Sequence, residues 1–222
     1  MKRREIVHVL QQDSWTVPTQ IECGGDKKTM TTLTFADLLT IRGRLNAGET
    51  DMETVSNNYS FEELAETVRE TRSLLQAVAD DWTQDQLLAR PSMHEREDVA
   101  LSEDRWSATE AISHLIATQN WYMLHMGRIL GRREHFDVMP HGLGDLAHQD
   151  ILKADLEEQL RSATTRFLEY ISSIPADANL TEKRSSTFFG DLSLRGWILL
   201  AALHDVEHWQ QIQRIADATT FP

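Results

Sequence analysis

Cysteine is almost absent from this chain of 222 residues, with Cys23 standing alone. One thiol cannot close an internal disulfide, and it excludes a cysteine-rich zinc site, so any metal must be held by histidine and carboxylate. Long apolar runs are missing too. The longest, Trp197–Leu203, falls far short of the roughly 20 residues that a membrane-spanning helix requires. No continuous apolar stretch follows Lys2-Arg3-Arg4, so no signal peptide is visible and a cytoplasmic protein with no membrane partner is expected. In that setting Asn58-Tyr-Ser60 and Asn179-Leu-Thr181 read as chance sequons. Positive charge is scarce, with 22 Lys and Arg against 35 Asp and Glu, a net charge of −13. A surface that acidic repels phosphate backbones, so nucleic acid is not an expected partner.

What remains is the composition of a folded domain. Hydrophobic residues make up 41% and charged residues 26%, which implies a packed core. Four long amphipathic helices are predicted after residue 60. The first, Phe61–Asp80, opens on Ser60 and Glu63, a capping box in which two side chains satisfy orphan backbone N–H groups. Its apolar stripe is Leu64, Val68, Leu74, Leu75 and Val78. The second, Ala108 to about Leu130, opens on a second capping box, Ser107 and Glu110, and Gly131 stops it. The third runs from about Ile151 to Ile174, where Pro175 cannot continue it. The fourth spans about Leu194–Ala216 with Ser193 as N-cap.

The fold class is therefore all-α, a four-helix bundle over residues 60–222. Residues 81–106 and 132–149 form long connections. The second can cross the bundle as a long crossover connection, letting helices two and three run parallel. Residues 1–59 read as a small N-terminal α/β extension that covers the bundle or dimerises. Glu5–Gln11, Trp15–Cys23 and Lys27–Leu33 are strand-like, Gly24-Gly25-Asp26 marks a turn, and Thr34 caps a short helix, Phe35–Leu45.

Chemistry concentrates on the fourth helix. His204 and His208 stand four residues apart in its most apolar stretch, so they share one face and can reach one metal ion. A lone histidine on such a face is usually a satisfied core residue. Two at this spacing are harder to dismiss, because each needs a hydrogen-bond partner when buried. Spacing alone leaves the third ligand open among the remaining histidines. With helices two and four antiparallel, His114, His208 and His204 lie about 10, 13 and 19 Å from one end of the bundle, close enough to converge. His125 shares the face of His114 but lies about three turns further on. His94, His135, His141 and His148 fall in loops, and His8 in the extension.

Trp106-Ser-Ala-Thr-Glu-Ala-Ile-Ser-His114-Leu, followed much later by His204-Asp-Val-Glu-His208-Trp-Gln-Gln-Ile212, resembles the DinB-like superfamily of metalloenzymes over about residues 60–217. The resemblance implies a four-helix bundle with a long crossover and a three-histidine site made by His114, His204 and His208. It further implies a divalent metal, zinc or nickel first, and a small-molecule substrate. Characterised relatives include transferases and isomerases that use a low-molecular-weight thiol. The same resemblance makes a homodimer the default. A metal of this kind lowers the pKa of bound thiol or water, which points to a thiol-dependent S-transferase or a hydrolase. The alternative is a non-catalytic stress or ligand-binding bundle.

Beside the ligands, Asp205 and Glu207 are candidates for a base or for acceptors of imidazole N–H groups. Gln211, Trp121 and Tyr122 are candidates for lining the substrate pocket, although aromatic residues at such positions more often build core. His204-Asp-Val-Glu-His208 also fits the inverted zincin pattern, but only Asp217 remains downstream as an acidic ligand. A di-iron bundle needs glutamate–histidine pairs that the helices do not offer.

Overall fold

The structure, a computed structural model, describes residues 32–90, 106–133 and 151–218, all within one compact unit. In chain order the elements are α1 (Phe35–Asn46), α2 (Met52–Ser56), α3 (Phe61–Asp81), α4 (Gln84–Leu88), α5 (Ala108–Ile129), α6 (Lys153–Ser172), β1 (Arg184–Ser186), β2 (Gly190–Leu192) and α7 (Leu194–Ala218). Helices α3, α5, α6 and α7 are the four predicted ones, and they form an all-α bundle.

Local chemistry sets the helix ends. Ser60–Glu63 and Ser107–Glu110 both close as reciprocal capping boxes. Ser193 Oγ accepts the Gly196 N–H at the start of α7. At the far end of α5, Gly131 takes φ +68°, Arg132 N–H reaches back to Gly127 and Gly131 N–H to Arg128, the pattern of a Schellman stop. Helix α6 is two residues shorter at each end than expected, and its N-cap Leu152 offers no side-chain acceptor.

Pairwise contacts fix the directions. Gln119 bonds the Ala163 carbonyl and Arg132 the Ser173 carbonyl, so α5 and α6 run parallel. A crossover must therefore join them, and its path over 134–150 lies outside the described residues. Trp106 stacks on His208 while Trp121 meets Trp197, so α5 and α7 are antiparallel. That is the arrangement that brings the three histidines to one level.

The described N-terminal part, residues 32–59, lies against the bundle, a role expected of the extension. Helix α1 begins at its Thr34–Asp37 capping box, as expected. Leu33, Leu38 and Ile41, with Met52 and Val55 of α2, lie in the same apolar core as Trp197, Ile198 and Leu203. These helices bury their own apolar faces on α7, the physical reason they join the bundle. The predicted strands Glu5–Gln11 and Trp15–Cys23, and most of Lys27–Leu33, lie outside the described residues. The connection 81–106 holds the short helix α4, and a two-stranded antiparallel hairpin, β1–β2, precedes α7.

Candidate metal centre

His114 comes from α5, and His204 and His208 from one face of α7. Their ring nitrogens converge. His204 Nε2 lies 3.2 Å from His114 Nε2 and 3.0 Å from His208 Nε2. All three ligand atoms fall within 4.8 Å of one another. Three nitrogens bound tetrahedrally at 2.0–2.1 Å from one ion would stand about 3.3 Å apart, so the donor set fits a divalent cation. His114 and His208 are buried, and His204 is the partly exposed member.

Two of the rings are held from behind. The Nδ1–H of His208 donates to Gln211 Oε1 at 2.6 Å, because a carbonyl oxygen can only accept. Its Nε2 lone pair is thereby aimed at the other imidazoles. His204 Nδ1 lies 2.9 Å from the Tyr122 hydroxyl. With a cation drawing on all three lone pairs, His204 carries its proton on Nδ1 and donates to the tyrosine oxygen. Without one, Tyr122 can donate to Nδ1, which leaves the His204 Nε2–H for a neighbouring imidazole nitrogen. The Trp106 ring lies parallel to His208, 12° apart at 5.7 Å, and tilted against His114 at 4.9 Å.

Electrostatics favour the neutral form of His204 and His208, the form that binds metal. Burial holds His204 well below the usual imidazole range, and His208, His114, Arg72 and Arg42 push the same way. Burial lowers His208 to about 4, against the opposing hydrogen bond to Gln211. Tyr122 is held well above its usual range, chiefly by burial, and stays a phenol.

The residues flanking the ligands point elsewhere. Asp205 is fully buried and faces α3, where Arg72 Nε donates to its Oδ2 at 2.8 Å and the Thr71 hydroxyl at 2.9 Å. Burial raises its carboxyl while Arg72 and Thr71 pull it back. Glu207 turns outward, its side chain 45% exposed, onto Arg42 of α1, which also bonds Gln210. The imidazole acceptors are Gln211 and Tyr122 rather than these carboxylates, because one residue of helix rotates Asp205 by about 100° away from His204. Gln211 and Tyr122 thus join the triad. Trp121 sits one layer away, 4.9 Å from Trp197 and 4.5 Å from His125.

Sequence reasoning missed Arg72. The signal was there, since Leu64, Val68, Arg72 and Leu75 continue one helical stripe that a guanidinium interrupts. Arg42 gave no comparable signal, because nothing in its local pattern indicates a reach to α7.

An α-helical bundle with three histidines converging from two facing helices defines the class of a histidine-site bundle protein. The sequence profile of the DinB superfamily matches residues 67–212, about two thirds of the chain, and the protein belongs to that superfamily. No curated protein and no solved structure matches it.

Proposed function

We propose that this protein binds one divalent metal ion through His114, His204 and His208 and uses it to activate a thiol or water toward a small-molecule substrate. The observation that carries this reading is the convergence of three imidazole Nε2 atoms, with the His208 lone pair aimed inward by Gln211. When bound, the ion would supply Lewis acidity and lower the pKa of a thiol or water at an open position. The chain's own residues do the rest. Gln211 and Tyr122 orient two imidazoles, Trp106 covers His208 and His114, and the apolar walls of α5 and α7 limit water. With Asp205 committed to Arg72 and Glu207 to Arg42, proton transfer falls to the activated group itself or to the substrate.

Metal content of the purified protein, measured by plasma mass spectrometry beside His204→Ala, tests the site. About one divalent ion per chain, lost in the variant, is expected. No ion after reconstitution would overturn the reading. The burial of His114 and His208 favours a second reading, a bundle that holds metal without turnover. Thiol-transfer and hydrolysis assays with and without chelator separate the two, since only the first loses an activity when the metal is removed.

A further inference from the structure

Thr118 stands one turn after His114 on α5, and Tyr122 one turn further, so the three follow one another along the side that meets α7. His114 and Tyr122 both reach the His204 ring, at Nε2 and Nδ1. Between them, Thr118 Oγ1 lies 3.4 Å from His114 Nε2, the nitrogen that faces the triad. His114, His208, Gln211 and Tyr122 are buried, whereas His204, Trp106 and Thr118 keep exposure. A ligand arriving from that side meets the threonine oxygen as a polar neighbour.

The proton of this hydroxyl is already committed. Oγ1–H donates to the His114 carbonyl at 2.8 Å, the bond a helical threonine makes one turn back. The contact with His114 Nε2 is longer, and a nitrogen whose lone pair is on a cation accepts nothing. The oxygen is left with lone pairs alone, so toward the triad it is an acceptor. It does not complete the ligand set, because sites for such ions draw on thiolate, imidazole and carboxylate rather than on a neutral hydroxyl.

We propose that Thr118 Oγ1 accepts a hydrogen bond from the group that fills the open position of the triad, so that the site selects a ligating atom that still carries hydrogen. Water has a hydrogen left to give after losing one proton, and a thiol has none. A bare thiolate would have to turn the hydroxyl off the His114 carbonyl. This rests on the reading of the triad as a metal site, and within it makes water rather than a thiol the activated group. Thr118 is a specificity-determining residue by discrimination between ligands, since it favours one and leaves the other beside an unmatched acceptor.

The test uses the full-length protein reconstituted with cobalt(II), with metal content measured on each sample. Two probes are titrated while the visible and near-ultraviolet bands of the ion are followed. Trifluoromethanesulfonamide binds metals as an anion that keeps an N–H on the ligating nitrogen, and 2-mercaptoethanol binds as a thiolate. The isosteric Thr118→Val should hold its cobalt, bind the sulfonamide about tenfold more weakly, and bind the thiol as tightly as the wild type or more so. Thr118→Ser restores the hydroxyl and should restore the wild-type order. Opposite responses to the two probes are not produced by a merely damaged site. Equal effects of Thr118→Val on both probes, or none on either, overturn the proposal and leave the metal reading standing. So does loss of cobalt in Thr118→Val, or a cobalt-loaded wild type that binds neither probe. A wild type that takes up no cobalt overturns the metal reading, and the proposal with it.

Discussion

Gln211 Oε1 accepts the Nδ1–H of His208 at 2.6 Å across one turn of α7, and this bond decides which nitrogen of His208 faces the triad. Gln211→Leu keeps the volume and removes the acceptor, so the ring is free to rotate or change tautomer. Metal affinity should fall about 10- to 100-fold, as it does when such supporting partners are lost elsewhere. Gln211→Glu retains an acceptor and should keep or raise affinity. Competition with a chromogenic chelator reads both, and an unchanged affinity in Gln211→Leu would remove this role.

Tyr122 supports His204 in the same way but through a hydroxyl that can donate or accept. Tyr122→Phe preserves the ring that packs against Trp197 and Trp121. Stability of the metal-free protein should drop by only about 1 kcal/mol, the net worth of one hydrogen bond. Metal affinity should drop less than in Gln211→Leu, because Tyr122 can also satisfy the competing metal-free tautomer.

Much of this was legible in the chain. Ser60–Glu63 and Ser107–Glu110 announce two helix starts because capping chemistry is local, and Gly131 announces a stop for the same reason. The pairing of His204 with His208 follows from helical rotation alone. Antiparallel α5 and α7 made convergence with His114 possible, but its choice as third ligand came from the family resemblance. The roles of Asp205 and Glu207 were not legible, since neighbours of a ligand in sequence are turned onto other faces of the helix. Their partners, Arg72 and Arg42, are more than 130 residues away in sequence, on α3 and α1. That the N-terminal segment covers the bundle was expected, but not that α1 and α2 pack on α7, because short apolar faces carry no mark of which element they meet.

The buried pair Arg72–Asp205 ties α3 to α7, with side chains 1% and 0% exposed. Asp205→Ala strands a guanidinium in the core and should cost about 3–5 kcal/mol. Adding Arg72→Met removes the stranded charge and fills its volume, so the double variant should recover most of that loss. Urea unfolding of the two singles and the double gives the coupling, and a double variant no better than Asp205→Ala would contradict it.

Gly196 sits in the first turn of α7 where a side chain has no room. A Cβ there would stand 2.5 Å from Glu53 Oε1 and 3.2 Å from Leu192 Cβ. Glu53 is no bystander: its Oε1 accepts the Ser193 N–H at 2.8 Å and its Oε2 pairs with Lys183 at 3.3 Å. Gly196→Ala should push that carboxylate away from the start of the histidine-bearing helix and cost about 1–3 kcal/mol. The same substitution in a Glu53→Ala background should cost less, and thermal unfolding of all four proteins checks the difference.

Acid should destabilise the metal-free protein through its histidines. His208 takes its proton near pH 4 in the folded state against 6.5 ordinarily, with burial as the main cause. Below about pH 6.5 the unfolded chain binds a proton that the native site refuses, so stability falls as pH drops from 6.5 to about 4. For His208 alone the loss amounts to about 3 kcal/mol. His204 is lowered in the same direction and adds to it. Asp205 works the other way, since its raised carboxyl binds a proton in the native state first. Urea midpoints across this range should therefore decline in the wild type and decline less in His208→Gln, whose side chain cannot titrate. A wild-type midpoint that stays level from pH 6.5 to 4 would mean that the rings accept protons freely, and the buried neutral triad would have to be abandoned.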